Sequence, residues 1–107
     1  MAYDLELADR LRDLLIAEPG LSEKRMFGGL AFLVDGAMAV AATDDGLLLR
    51  VDPEERDELA ADPLAGPWIM RGNELRGWLR LDVDATTPSQ TLEPWLERAV
   101  CAARASR

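Results

Sequence analysis

Leu7, Leu11, Leu14 and Leu15 recur at the spacing of one helical face, with Asp9, Arg10, Arg12 and Asp13 on the other side. The chain is therefore expected to open with a helix from about Asp4 to Ala17, capped by Asp4 and stopped by Pro19-Gly20. The period then changes to that of strands. Lys24 to Phe27 is a short candidate, and Leu30 to Val34 and Ala37 to Ala42 flank Asp35-Gly36, which suits a type I′ hairpin turn. Asp45-Gly46 makes a second such turn before Leu47 to Val51. Asp52-Pro53-Glu54-Glu55 reads as a helix start, with an acid cap and proline at the first helical position. That short helix ends before Pro63. Trp68 to Arg71 and Glu74 to Leu81 pair around Gly72-Asn73, and Leu92, Trp95, Leu96, Ala99, Val100 and Ala103 form the stripe of a last helix. Two starts compete for it: Thr87-Pro88-Ser89-Gln90 reads as a capping box, but Thr91 is the preferred cap because it keeps Pro94 in the first turn. The expected order is α-β-β-β-β-α-β-β-α, an α+β fold.

Hairpin register assigns the faces of the sheet, because side chains alternate along a strand. With Leu33 opposite Met38 and Phe32 opposite Ala39, one face collects Ala31, Leu33, Met38, Val40, Ala42, Leu47, Leu49 and Val51. In the final hairpin Trp68, Met70, Leu75, Gly77, Leu79 and Leu81 join this all-apolar face, with the Trp68 indole lying across Gly77. It is the face expected to lie under the helices. The other face mixes Leu30, Phe32, Val34, Leu48 and Trp78 with Arg50, Arg76 and Arg80. A sheet face left to water normally reads polar, whereas apolar residues with arginine and aromatics match interface cores. Leu30, Phe32, Val34, Leu48, Arg50 and Trp78 are thus the candidate interface. Three readings stay open for it: a helix or loop covers it within the monomer, it binds a partner or a second copy, or it lines a small-ligand pocket. On the interface reading, Trp78→Ala and Phe32→Ala are expected to affect association more than folding.

Composition narrows the function classes. At 107 residues and about half apolar, the chain fits one domain, 1–107. Apolar runs are broken early by charge or turn residues, so no membrane span is expected. An N-terminus of alternating acids, arginines and leucines lacks a secretory core, and one cysteine, Cys101, fits a reducing compartment; the expected location is the cytoplasm. The formal charge of −8 speaks against direct nucleic-acid binding, since a polyanion needs sustained positive potential.

Candidate chemistry is sparse. The chain has no histidine, which removes the commonest general base and metal ligand. Phosphate-loop, dinucleotide and metal-binding cysteine spacings are missing as well. Asp82-Val83-Asp84 reads as a solvated strand exit, and Cys101 as a small buried hydrophobe. No catalytic residue, metal or cofactor is assigned. Two basic segments remain, Lys24-Arg25 before Gly28-Gly29 and Arg71 with Arg76 and Arg80. Lys24, Arg25, Arg71, Arg76 and Arg80 are the candidate anion or partner site. A basic edge strand, and hairpin arginines paired to local acids such as Glu74 and Asp82, are the alternative readings.

Together the start Ala2-Tyr3-Asp4, the run Glu23-Lys24-Arg25-Met26-Phe27-Gly28-Gly29-Leu30-Ala31-Phe32, Arg71-Gly72, Arg76-Gly77-Trp78 and the closing Trp95-Leu96-Glu97-Arg98-Ala99 resemble the N-terminal domain of the TfoX/Sxy competence regulators of bacteria. The resemblance implies a two-layer α+β domain, an antiparallel sheet with helices on one face, akin to secretion chaperones. It also implies a role accessory to transcription regulation, exercised with other regulators; taken with the mixed sheet face and the missing motifs, the expected function is a non-enzymatic protein-interaction module with a protein partner or dimer and no cofactor. The domain is expected to stand alone, without the C-terminal helical domain of full-length regulators. A small-molecule or anion-binding protein is the alternative.

Overall fold

The computed structural model describes residues 3–26, 28–44 and 46–106. Phe27 and Asp45, at the end of the first predicted strand and in the second predicted turn, lie outside the described residues, as does the side chain of Met70. Among the described residues the elements are α1 (Leu5–Leu15), β1 (Leu21–Met26), β2 (Gly29–Val34), β3 (Ala37–Thr43), β4 (Gly46–Arg50), α2 (Arg56–Leu59), β5 (Ala65–Met70), β6 (Asn73–Leu81) and α3 (Ser89–Ala105). This is the predicted order. The strands form one open antiparallel sheet, β1-β2-β3-β4-β6-β5.

Local signals explain most element ends. Asp4 Oδ1 accepts from the backbone N–H groups of Glu6 (2.9 Å) and Leu7 (3.3 Å), so α1 begins as its cap predicts. Asp52 Oδ1 accepts from the Glu54 N–H at 2.9 Å, but a separate turn follows and α2 starts only at Arg56. The preferred cap of the last helix is corrected. Helix α3 starts at Ser89, and Pro94 lies inside it. The missing Pro94 N–H costs about 3 kcal/mol. Leu92, Trp95, Leu96, Ala99, Val100 and Ala103 are all buried along α3, and the burial of the whole stripe outweighs the lost bond. Gln90, whose carbonyl loses its donor, is exposed to water.

One core joins α1 and α3 to the sheet: Leu7, Leu11 and Leu15, the α3 stripe, and Leu30, Phe32, Val34, Val40, Leu47, Leu49, Leu79 and Leu81 from the strands. Half-buried arginines tie the ends together. Arg10 donates to the carbonyls of Ala85 (3.0 Å) and Thr87, and to Ser89 Oγ (2.8 Å), which fixes α1 to the entry of α3. Arg104, at the far end of α3, meets Glu18 at 2.8 Å.

Two irregularities in register change the faces. Leu33 stands opposite Met38 as predicted, but Phe32 stands opposite Val40, not Ala39. Ala39 is the extra residue of a β-bulge, so Ala39 and Val40 both face the core. Past the bulge every residue of β2 pairs one position further along β3. Leu30, Phe32 and Val34 therefore share the helix-covered face with Val40, Ala42, Leu47 and Leu49, while Ala31, Leu33 and Met38 turn outward. The predicted interface trio Leu30, Phe32 and Val34 is thus core: they are 7%, 0% and 0% exposed. The expectation that Phe32→Ala would spare the fold falls with it.

The second irregularity lies in the last hairpin. Its turn is Arg71-Gly72, both left-handed (φ 53° and 79°), so Met70 stands opposite Asn73 and not, as predicted, opposite Leu75. Farther on, Pro67 stands opposite Leu79 but Ile69 opposite Glu74, so residues 75–78 of β6 face Trp68 alone. Pro67 lacks the N–H that a regular ladder needs, and it sits on an edge strand where that loss is tolerated. The break turns Trp68 outward, away from the core to which alternation assigned it.

Candidate functional site

The outward face of the sheet carries its own apolar cluster. Ala31, Met38, Ala41 and Leu48 are buried there, with Met26, Leu33, Trp68 and Trp78 partly buried around them. The larger side chains shelter the alanines. Trp68 and Trp78 meet edge to face, with ring centroids 6.5 Å apart and planes at 68°. Arg50, directly opposite Trp78 across the β4–β6 ladder, lays its guanidinium 4.5 Å from that ring centroid. Its Nε also donates to the Met38 carbonyl at 2.7 Å. Burial pushes the Arg50 pKa below its ordinary value, and no carboxylate among the described residues offsets that cost. Leu48, Arg50 and Trp78, the other half of the predicted interface, do lie on this face.

The predicted cation set does not converge. Lys24 and Arg25 stand on β1 at one edge of the sheet; Arg71, Arg76 and Arg80 belong to the β5–β6 hairpin at the other. Four strand spacings separate β1 from β6, about 19 Å at the usual interval. Arg76 is engaged by Asp57 at 3.2 Å. Lys24, Arg25, Arg71 and Arg80 have no side-chain hydrogen bond or ion pair among the described residues. Lys24, opposite Ala31, shares the outward face. Arg80, opposite Leu48, lies there too, and its guanidinium rests over Gly66, where an added Cβ would come within 3.1 Å of it.

Sequence reasoning missed Arg56, a buried arginine on α2. It pairs with Glu74 on β6 and with Asp57 at 3.0 Å, while its Nε is buried without a hydrogen-bond partner. Together with Arg76–Asp57 it staples α2 to β6. The arginine hydrogen bonds, from Arg76 first and then Arg56, hold the Asp57 carboxyl below its ordinary range. No signal of period or motif singled Arg56 out, because it lies in a short helix with charged neighbours.

A groove of about 970 Å³ runs between the free flank of α3 (Pro94, Arg98, Cys101) and the β4–α2 connection (Asp52, Pro53, Glu55). Arg98 approaches Glu55 across it at 3.4 Å. Cys101 is exposed here, which corrects the expectation that it is buried; it falls beside the α3 stripe, not on it. Of the predicted cations and interface residues, only Arg50 borders this groove. Among the described residues no cluster of three or more potential metal ligands occurs, and no helix is long and apolar enough to cross a membrane.

The sequence profile of the TfoX N-terminal domain matches residues 13–103, a span that runs from α1 through most of α3 and includes both sheet faces. The chain belongs to the TfoX N-terminal domain family. This is a regulator-type domain and not a known enzyme family. No curated protein and no solved structure matches the chain significantly.

Proposed function

We propose that this TfoX N-terminal domain is a non-enzymatic protein-interaction module, accessory to transcription regulation, that holds its partner on the outward face of the sheet. The observation that carries this reading is the composition of that face. Two tryptophans, Leu33, Leu48 and Met38 sit with Arg50 on a side that no helix of the described residues covers. Tryptophan and arginine dominate the binding energy of protein interfaces, where a half-buried aromatic seats against a partner at low entropic cost. Membership of the TfoX N-terminal domain family supports the regulatory part of the reading. An anion-binding role is less well supported, because the cations it would use stand at opposite edges of the sheet.

A photo-crosslinking residue at Leu33 tests the reading in the native cell. Discrete protein adducts are expected from position 33, and none from the same residue at Glu93 on the exposed side of α3. Equal labelling from both positions would refute the assignment of the face. Direct DNA binding is not part of the reading: duplex DNA added at physiological ionic strength should leave fluorescence anisotropy unchanged up to micromolar protein.

A further inference from the structure

We infer that the outward sheet face accepts an acidic, apolar segment of a partner protein, whose carboxylates meet Lys24, Arg50 and Arg80 while its apolar side chains cover Leu33, Leu48 and the Trp68–Trp78 pair. This inference rests on the interaction reading and adds the chemistry of the partner. Its basis is charge. The chain carries 20 acids against 12 bases, yet the strands hold only two carboxylates, Glu23 and Glu74. Both are already bound to arginines of the helices, Arg12 and Arg56. The outward face is thus a basic, apolar surface on an acidic molecule. Lys24 and Arg80 there have no acid partner among the described residues, and Arg50 is partly withdrawn from water with only a carbonyl and an aromatic ring to receive its charge. A partly desolvated guanidinium gains most from a carboxylate that the chain itself does not supply.

The geometry sets the size of the segment. Lys24 on β1 and Arg80 on β6 are about 19 Å apart across the strands, the reach of about six extended residues or about 13 helical ones. A second copy of the chain is disfavoured on this face, because a two-fold contact would set Lys24, Arg50 and Arg80 against the same cations of its mate. Single-stranded nucleic acid would need open aromatic rings for stacking. Here Arg50 covers Trp78, and Trp68 meets Trp78 edge to face.

Three fluorescently labelled probes test this with the intact chain: a 16-residue peptide of Asp, Glu, Leu and Phe, the same peptide with Asn and Gln for the acids, and an oligothymidine of equal length. The acidic peptide should bind at least about tenfold more tightly than the neutral one, and the preference should shrink as salt is raised. Lys24→Gln with Arg80→Gln should remove most of the preference, with an unchanged unfolding midpoint, since neither side chain holds the fold. Arg50→Gln should weaken binding further. Equal binding of the two peptides, tighter binding of oligothymidine, or a dimer that protects Trp78 would each overturn the inference. If neither peptide binds while crosslinks from position 33 persist, the acidic-partner inference fails and the interaction reading stands. If the crosslinks are missing too, both fail.

Discussion

The two faces of this sheet are made by the same strands, and almost every described position in β2, β3 and β4 is apolar on both. One face is closed by α1 and α3, and its largest side chains, Phe32, Leu47, Leu49, Leu79 and Leu81, are fully buried. The other is covered, among the described residues, by its own side chains: tryptophans and an arginine lean over alanines, and cations stand at its margins. A continuous apolar strand is the usual mark of a sheet covered on both sides. Here it marks one covered side and one that is half finished. The difference shows in which charges are used. Arg10, Arg12, Arg56 and Arg104 bind carboxylates, carbonyls or a hydroxyl on the helix side, whereas Lys24 and Arg80 make no hydrogen bond or ion pair among the described residues.

The sharpest way to break this contrast is to truncate one residue on each side. Phe32→Ala should cost about 3–5 kcal/mol in chemical denaturation, because it empties a fully enclosed site. A loss below about 1 kcal/mol would mean that the β3 bulge is misplaced and that Phe32 faces outward. The α2 staple comes next. Glu74→Ala should cost about 2 kcal/mol, since it leaves the buried Arg56 with the exposed Asp57 as its remaining acid, while Arg56→Met should cost under about 1 kcal/mol, because Glu74 can return to water. Equal losses would show that the pair contributes by packing alone.

Trp78→Ala should cost about 1.5 kcal/mol, the loss of a half-buried indole and its guanidinium contact, well short of Phe32→Ala. A loss as large as that of Phe32 would make the outward cluster a second core in its own right. Lys24→Gln with Arg80→Gln should shift stability by less than about 0.5 kcal/mol, as expected for charges with no ion pair among the described residues.

The smallest effect expected is in acid. Arginine hydrogen bonds hold Asp57 below its ordinary 3.8 and Glu23 below its ordinary 4.5, Arg76 acting first on the one and Arg12 on the other. Both carboxyls are more acidic folded than unfolded. Their contribution is therefore complete above the ordinary values and is lost as pH falls through the lowered ones. Melting curves from about pH 5 to pH 2 should fall less steeply for Asp57→Asn than for the native chain, and added salt should narrow the gap. Identical acid limbs would leave Asp57 outside the staple.

Read alone, the sequence determined the element order, the Asp4 cap, the Asp35-Gly36 turn and the α3 stripe, because each depends on neighbours within one or two turns of chain. It also placed Leu48, Arg50 and Trp78 correctly, since no register break lies between β4 and the end of β6. Tertiary structure decided the rest. A bulge adds one residue and reverses the faces beyond it, yet Ala39 carries no local sign that it will go unpaired; Phe32 went to the core because its side chain gains more beneath the helices than outside. The same holds for Trp68, turned outward by the break beside Pro67, and for α3, where the burial of the whole stripe outweighs the bond lost at Pro94. Which cations found acids was likewise settled by distance in the folded chain, and period or motif could not foresee it. Alternation along a strand is a local rule, but the choice of face is a global one, made by whichever register buries the most apolar surface.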